Sequence, residues 1–306
     1  MGKWHVFRKE AGLRLLQFLK KKCPDAPSVK TIKRAIDGKL CTVNQRIETF
    51  SSYVVKENDL ITLDKQAFEK KNNVLDAKIP ILFEDNDLLI VNKPAGLVSE
   101  NRFIKACLPD PKRNLLLVHR LDKETSGVLI LAKNRQAEEN MIALFKTRGV
   151  RKLYLAIVDG IVNKDEGKID NFLGKKAQFQ GQTIYGSVEK NKGVRAITFW
   201  NCLSRGKMAS VVCCEPLTGR THQLRVHLSQ IGHPVLGDVQ YGKKFLCAYK
   251  PHRNLLHAYS VVFSHLGKQL KITAPLPADF KQALDLLLCK VLKRIEMAHL
   301  VELFDK

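Results

Sequence analysis

Long hydrophobic runs are missing from this sequence. Nothing in it approaches the roughly 18–20 consecutive apolar residues that a membrane span requires, and the longest apolar stretches, such as 128–132, have the length of buried strands. Nor does an apolar core follow the basic start Met1-Gly2-Lys3-Trp4-His5-Val6-Phe7-Arg8-Lys9, so no secretory signal is expected and the cytoplasm is the expected compartment. There are eight cysteines but no C-x-x-C pair, and Cys213 and Cys214 are adjacent, where both cannot easily reach one metal. The thiols therefore read as reduced and mostly buried. G-x-G-x-x-G, H-E-x-x-H and G-x-S-x-G are all absent, which removes support for nicotinamide, zinc-protease and serine-hydrolase chemistry. Acidic residues are also scarce: 30 Asp and Glu stand against 52 Lys and Arg, a net +22 with histidines neutral. A single basic run such as Lys20-Lys21-Lys22 would be only a solvated face. An imbalance over the whole chain, with a pI near 9.7, points to a polyanion, and nucleic acid is the expected partner.

What is present describes a folded protein of about two domains: 306 residues, 45% apolar and 27% charged. Leu15, Leu16 and Leu19, and then Ile32, Ala35 and Ile36 before Gly38, have helical spacing and predict two short helices. Residues 39–44 and 60–63 read as strands, giving a small α/β domain over 12–64. Residues 65–77 are polar and without period, as in a linker. In the expected second domain, 78–306, strand-like runs at 79–83, 88–91, 128–132, 153–158 and 196–202 surround one helical stretch at 135–146. Without strict β-α-β alternation, this predicts an α+β fold with a mixed, largely antiparallel sheet. Residues 279–304 look helical, with Leu284, Leu287, Leu288 and Val291 on one face. No internal repeat is visible.

Two clusters could carry chemistry. Val118-His119-Arg120-Leu121-Asp122-Lys123-Glu124-Thr125-Ser126-Gly127 places a carboxylate in a polar turn just before a buried strand, with Arg120 and Lys123 favouring its ionised form. On these residues alone, a turn aspartate bonding its own backbone is the favoured reading of Asp122. In Thr218-Gly219-Arg220-Thr221-His222-Gln223-Leu224-Arg225-Val226-His227-Leu228, Thr221 is a candidate N-cap, and Leu224, Leu228 and Ile231 form an inward stripe. His222 and Arg225 lie three apart and could point a donor and a guanidinium into one cleft. His222 and His227 are off a shared helix face, so no metal site is expected. Gly237-Asp238-Val239-Gln240-Tyr241-Gly242-Lys243-Lys244 has the glycine spacing and lysine of a phosphate loop. Lys244 stands where Ser or Thr should hold magnesium, so it reads as a turn.

His119-Arg120-Leu121-Asp122 followed by Thr125-Ser126-Gly127 resembles the signature of RluA-type pseudouridine synthases, which isomerise uridine in structured RNA. Ile81-Leu82-Phe83-Glu84-Asp85 with Leu88-Leu89-Ile90-Val91-Asn92-Lys93-Pro94-Ala95-Gly96 resembles the family's opening motif. Lys152-Leu153-Tyr154-Leu155-Ala156 resembles its tyrosine strand. Residues 219–227, 232–234, 237–238, 256–258 and 274–277 resemble the later motifs in order. Ser99-Glu100-Asn101 stands where the family more usually has small and histidine residues. The front domain, through Arg34-Ala35-Ile36, Gly38, Val43-Asn44 and Asn58-Asp59-Leu60-Ile61, is similar to the RNA-binding module named after ribosomal protein S-four.

The resemblance implies a pseudouridine synthase fold, no cofactor and no metal. It implies Asp122 as the essential residue, as nucleophile or as base, with Arg225 paired to it and Tyr154 stacked on the target ring; without the family context, Tyr154 would read as a core aromatic. It further implies His119, Arg120, Arg220 and His222 as RNA contacts, Arg120 filling the gap left by the base. Large-subunit ribosomal RNA is the expected substrate and transfer RNA the alternative, with no obligate protein partner and a monomer expected. A catalytically inactive RNA-binding assembly factor is the rival class, discriminated by the retained Asp122, Tyr154 and Arg225. A metal-dependent phosphate-transfer enzyme or nuclease is the third, and would lose activity to a chelator.

Overall fold

In a computed structural model, residues 2–64 and 78–287 are described, apart from 25, 27, 39, 180, 181 and 243. The expected linker 65–77, Lys39 and Lys243, and the expected helix beyond residue 287, with Leu288 and Val291, lie outside the described residues. Chain contacts divide the molecule into two units, Met1–Ala77 and Lys78–Lys306.

In the first unit, helices α1 (Leu15–Lys22) and α2 (Val29–Asp37) form where the apolar spacing placed them. Leu15, Phe18 and Leu19 on α1 and Ile32, Ala35 and Ile36 on α2 enter one core with Ile61 and Leu63. Ser28 caps α2, its hydroxyl accepting from the Thr31 N–H at 3.2 Å, and the helix stops at Gly38, whose N–H donates to the Arg34 carbonyl at 2.8 Å. Four strands, β1 (Gly2–His5), β2 (Cys41–Val43), β3 (Arg46–Ile47) and β4 (Leu60–Leu63), pair antiparallel in the order β1-β4-β2-β3. Strand β1, ahead of residue 12, was not expected. Its burial alternates over only four residues, too short a run to stand out in sequence. Asn44 and Gln45, at φ 50° and 68°, make the tight β2–β3 turn, a backbone that asparagine tolerates better than most residues.

The second unit is built on an eleven-stranded sheet, all described pairings antiparallel except one. Its strands are β5 (Ile81–Glu84), β6 (Leu88–Lys93), β7 (Leu116–Leu117), β8 (Ser126–Ala132), β9 (Arg151–Asp159), β10 (Glu166–Phe179), β11 (Gln182–Ser187), β12 (Val194–Arg205), β13 (Ala209–Pro216), β14 (Leu256–His265) and β15 (Lys268–Thr273). The order is β11-β10-β12-β13-β9-β14-β8-β6-β5, with β15 added to β14 and β7 to β8. The exception is β14 against β8, parallel through His257 with Ser126 and Ala258 with Gly127. The expected α+β class and mixed, largely antiparallel sheet are what the fold shows. Helices α3 (Asn101–Ala106), α4 (Arg135–Lys146), α5 (Gln223–Gln230) and α6 (Ala278–Leu287) pack on it. No helix among the described residues is long and apolar enough to cross a membrane.

Period-two alternation positions the site. On β9, Leu153, Leu155 and Ile157 enter one core, shared with Phe280 of α6. Tyr154, Ala156 and Val158 face the other side, against Leu224 and Leu228 of α5. The stripe expected on α5 therefore delivers that helix to the face that carries Tyr154.

Gly127, at φ +115°, opens β8 directly against β14, and a Cβ there would run into the Ala258 carbonyl oxygen. Gly127→Ala combines a backbone that L-residues avoid with an overlap on a rigid partner strand. It is expected to cost at least about 2 kcal/mol, read as a lowered thermal midpoint; an unchanged midpoint would show that the β8–β14 junction yields.

Candidate active site

Asp122 lies in the turn leading into β8, and that turn is fixed from several directions. The Ser99 hydroxyl donates to the Leu121 carbonyl at 2.8 Å and accepts the Leu121 N–H at 3.1 Å. Lys93, fully buried, donates from Nζ to the carbonyls of Pro94, Leu97 and Lys123 at 2.9, 3.0 and 3.2 Å. Burial pulls its ammonium down to about 7, against the attraction of Glu124. Arg253, held by Asp279 of α6, donates to the Glu124 carbonyl at 3.2 Å, and the Thr125 N–H donates to the Asp122 carbonyl at 3.0 Å. The backbone around Asp122 is thus tied before its side chain acts.

The Asp122 carboxylate is taken by a guanidinium rather than by its own backbone: Arg225 NH1 donates to Oδ2 at 3.3 Å. Arg225, on α5, has a firmer partner. Its Nε and NH2 donate to the two oxygens of Asp238 at 2.6 and 2.9 Å, and NH2 also donates to Gln240 Oε1 at 2.9 Å. Burial opposes the Arg225 charge, but Asp238 and then Asp122 carry the group above its ordinary value. The planar fork accounts for the arrangement: one edge is anchored by a buried carboxylate and the remaining nitrogen reaches the turn that carries Asp122. Of the 237–244 segment, the described residues 237–242 form a turn, as expected, opened by Gly237 at φ +82°. It places Asp238 and Gln240 on a guanidinium rather than on phosphate.

His222 also converges on Asp122, its Nε2 lying 4.0 Å from Oδ1. It is not inside the helix. His222 is the N-cap of α5 and adopts the left-handed region, at φ 56°, where Thr221 had been expected to cap. Gln223 organises the turn instead. Its Oε1 accepts from the Thr218 hydroxyl at 2.7 Å and the Arg220 N–H at 3.0 Å, while Nε2 donates to the Ile197 carbonyl and Thr198 Oγ1, each at 3.0 Å. These bonds fix residues 218–220 ahead of the helix, and the N-cap itself makes no side-chain cap bond. Around His222 stand Tyr185 and Tyr241, edge-on at ring separations of 5.7 and 5.6 Å, and the Arg225 guanidinium covers the Tyr241 ring at 5.0 Å.

Tyr154 is half-buried on β9, between Cys214 of β13 and Ala258 of β14. Burial, and then the nearby charge of Asp122, push its phenol above the ordinary value, so the hydroxyl keeps its proton at any physiological pH. Arg120 is exposed and has no hydrogen-bond or ion-pair partner among the described residues. Arg220 is exposed as well, its Nε donating to the Arg195 carbonyl at 3.1 Å. His119, expected as an RNA contact, is turned inward: Nε2 accepts the Ile130 N–H at 2.9 Å and the ring packs on Phe145 at 5.0 Å. Desolvation pulls it down to about 3, so it braces β8 as a neutral ring. Ser99, Asp238, Gln240 and Tyr241 were not expected in the site. Asp238 sits in a motif visible in sequence, but only the folded chain shows what it holds.

The turn aspartate, the arginine of α5 that reaches it and the tyrosine of β9 are thus brought together where α5 packs on the sheet. Residues 87–230 match the family described as RNA pseudouridylate synthase, and the chain belongs to that family, in its RluA-type branch. An uncharacterized RNA pseudouridine synthase of Mycoplasma pneumoniae is 34% identical over 278 residues, covering 86% of this chain and 89% of its own. Ribosomal large subunit pseudouridine synthase C of Buchnera aphidicola is 33% identical, covering 90% of this chain and 94% of its own. Among solved structures, human RNA pseudouridylate synthase domain containing 1 is similar at 29% identity and a TM-score of 0.61, over 73% of this chain and 95% of its own.

Proposed function

We propose that this protein converts particular uridines of structured RNA, in the first place large-subunit ribosomal RNA, to pseudouridine, with Asp122 as the catalytic carboxylate. The observation that carries this reading is the Arg225–Asp122 contact, made by a guanidinium already anchored on Asp238 and offered to a carboxylate that keeps a quarter of its side-chain surface open. Asp238, the other carboxylate on the same guanidinium, is closed off. Relatives named as ribosomal large subunit pseudouridine synthases C and D support the substrate class.

The reaction breaks the bond from ribose to a ring nitrogen, turns the base, and joins the ribose to a ring carbon. The carbon gives up a proton and the nitrogen ends with one, so atoms and electrons balance without an oxidant or energy source. Asp122 acts on the uridine as nucleophile or as base, both of which need the carboxylate that Arg225 aims. Tyr154 stacks on the turned ring and, with its proton retained, serves as acid or hydrogen-bond donor. The uridine must first leave its stack, at a cost of a few kcal/mol. Arg120 enters the gap, and basic contacts to the RNA backbone, Arg220 among them, offset that cost. The front unit, over 12–64 with β1 added, is read as an S-four-type RNA-binding module. The protein acts as a monomer, without an obligate partner.

The test is to incubate the purified protein with ribosomal and transfer RNA transcripts and map pseudouridine by adduct-dependent reverse-transcriptase stops. New stops at defined ribosomal positions are expected; stops confined to transfer RNA would move the substrate, and none in either would remove the reading. Tyr154→Phe is expected to keep RNA affinity and lose about 10²-fold in single-turnover rate. An unchanged rate would confine Tyr154 to stacking.

A further inference from the structure

Beside Asp122, the Tyr185 backbone, the Tyr241 hydroxyl and the His222 ring form a hydrogen-bonded chain. The Tyr241 hydroxyl accepts the Tyr185 backbone N–H at 3.2 Å and meets His222 Nδ1 at 2.8 Å. A backbone N–H can only donate, so it uses an acceptor position of the hydroxyl. The hydroxyl has one proton, and among the described residues its one remaining partner is His222 Nδ1. With that proton given to Nδ1, neutral His222 carries its own proton on Nε2. Nε2 is the nitrogen 4.0 Å from Asp122 Oδ1. His222 stands in the left-handed region, a conformation uncommon for non-glycine residues. In that conformation its ring reaches both Tyr241 and Asp122.

We propose that Tyr241 is a positioning residue that acts through His222: it fixes the imidazole with its proton on Nε2, so that His222 and Arg225 hold the two oxygens of Asp122 from opposite partners. This inference rests on the proposed role of Asp122. At 4.0 Å the His222 contact is longer than a hydrogen bond, as is common in substrate-free sites that tighten around a bound substrate. A neutral donor suits the task. A cationic His222 would form a full ion pair with Asp122 and withhold the carboxylate from the uridine, and its bond to Tyr241 would reverse, Nδ1 then donating to the hydroxyl oxygen. The groups facing the ring are Asp122, Arg225, Asp238, Tyr241 and Tyr185. Burial keeps His222 below its ordinary value against the pull of Asp122, in the sense required.

Tyr241→Phe keeps the ring, its packing and its contact with Arg225, and removes only the hydroxyl. In the full-length protein labelled with nitrogen-15, the His222 ring signals are identified by their loss in His222→Asn. The wild type is expected to show the proton on Nε2 and Tyr241→Phe a mixture of both tautomers. The kcat should fall about tenfold, the scale of one lost hydrogen bond, with KM within about twofold. The acid limb of the kcat profile should move to higher pH, because the neutral ring has lost the donor that favoured it. In the His222→Asn background, Tyr241→Phe should cost nothing further. A wild-type proton on Nδ1, an unchanged kcat in Tyr241→Phe, or full additivity of the two substitutions would overturn the inference. If the wild type made no pseudouridine, or Asp122→Asn made it at full rate, the proposed reaction would fail instead, and the ring tautomer would still be read independently.

Discussion

Asp122→Asn is expected to leave an RNA-binding protein that makes no pseudouridine. The amide has the shape of the carboxylate but neither its charge nor its basicity, so it can serve neither as nucleophile nor as base. A loss of at least about 10²–10⁴-fold in single-turnover rate is expected. The fold should survive, because Arg225 keeps its two bonds to Asp238 and its bond to Gln240 when the longer contact to residue 122 is weakened. The turn backbone should survive too, since Ser99, Lys93 and Arg253 hold main-chain atoms and none of them bonds the Asp122 carboxylate. A thermal midpoint near that of the wild type, RNA affinity within about threefold and absent product together make the expected result. Full product formation by the variant would remove Asp122 from the chemistry altogether.

Asp238→Ala should do the opposite and strike the fold first. Its carboxylate is almost closed to solvent, accepts two bonds from Arg225, and also accepts the backbone N–H groups of Gln240 and Tyr241 at 3.1 and 3.2 Å through Oδ1. Truncation leaves a buried guanidinium without its anchor, the situation in which removing one member of a buried pair costs about 3–5 kcal/mol. For a unit of this size that corresponds to a fall in thermal midpoint on the order of 10 °C. Activity should be lost alongside, because Arg225 would turn fully to Asp122 or leave it. Urea unfolding provides the check: a destabilisation below about 1 kcal/mol would mean that Asp122 and Gln240 alone suffice to hold Arg225. The pair of variants separates the two carboxylates on one arginine, one expected to change the rate with the fold intact and the other to change the fold.

Much of the framework follows from local pattern. The helix at 135–146 was legible because Asn134, whose side chain caps it at 2.8 Å, precedes an apolar period that buries Ala137 and Met141. Strand β9 was legible as a β-branched and apolar run, and its alternation places Tyr154 opposite Leu153 and Leu155. Asp122, Tyr154 and Arg225 were visible because ordered motifs fix residue identity along the chain. His119 was legible as part of the same motif but not in its placement. Whether its ring faces RNA or the β8 backbone depends on Ile130 and Phe145, which no spacing near residue 119 reports. Ser99 was legible as a departure from the family pattern, and its grip on Leu121, 22 residues away, was not.

The sequence by itself determined the charge that suits a polyanion, the division into a small α/β unit and a larger α+β unit, and the carboxylate, tyrosine and arginine proposed for the reaction. Periodicity and motif order carry such information because they depend on neighbours within a few positions. Tertiary structure alone decided how hydrogen-bonding capacity is shared out. Arg225 bonds Asp238, 13 residues away, at 2.6 Å and reaches Asp122, 103 residues away, at 3.3 Å, and the Tyr241 hydroxyl meets both the Tyr185 N–H and His222 Nδ1. Donors and acceptors are assigned by distance and direction in the folded chain, and buried ones must find partners wherever the fold brings them.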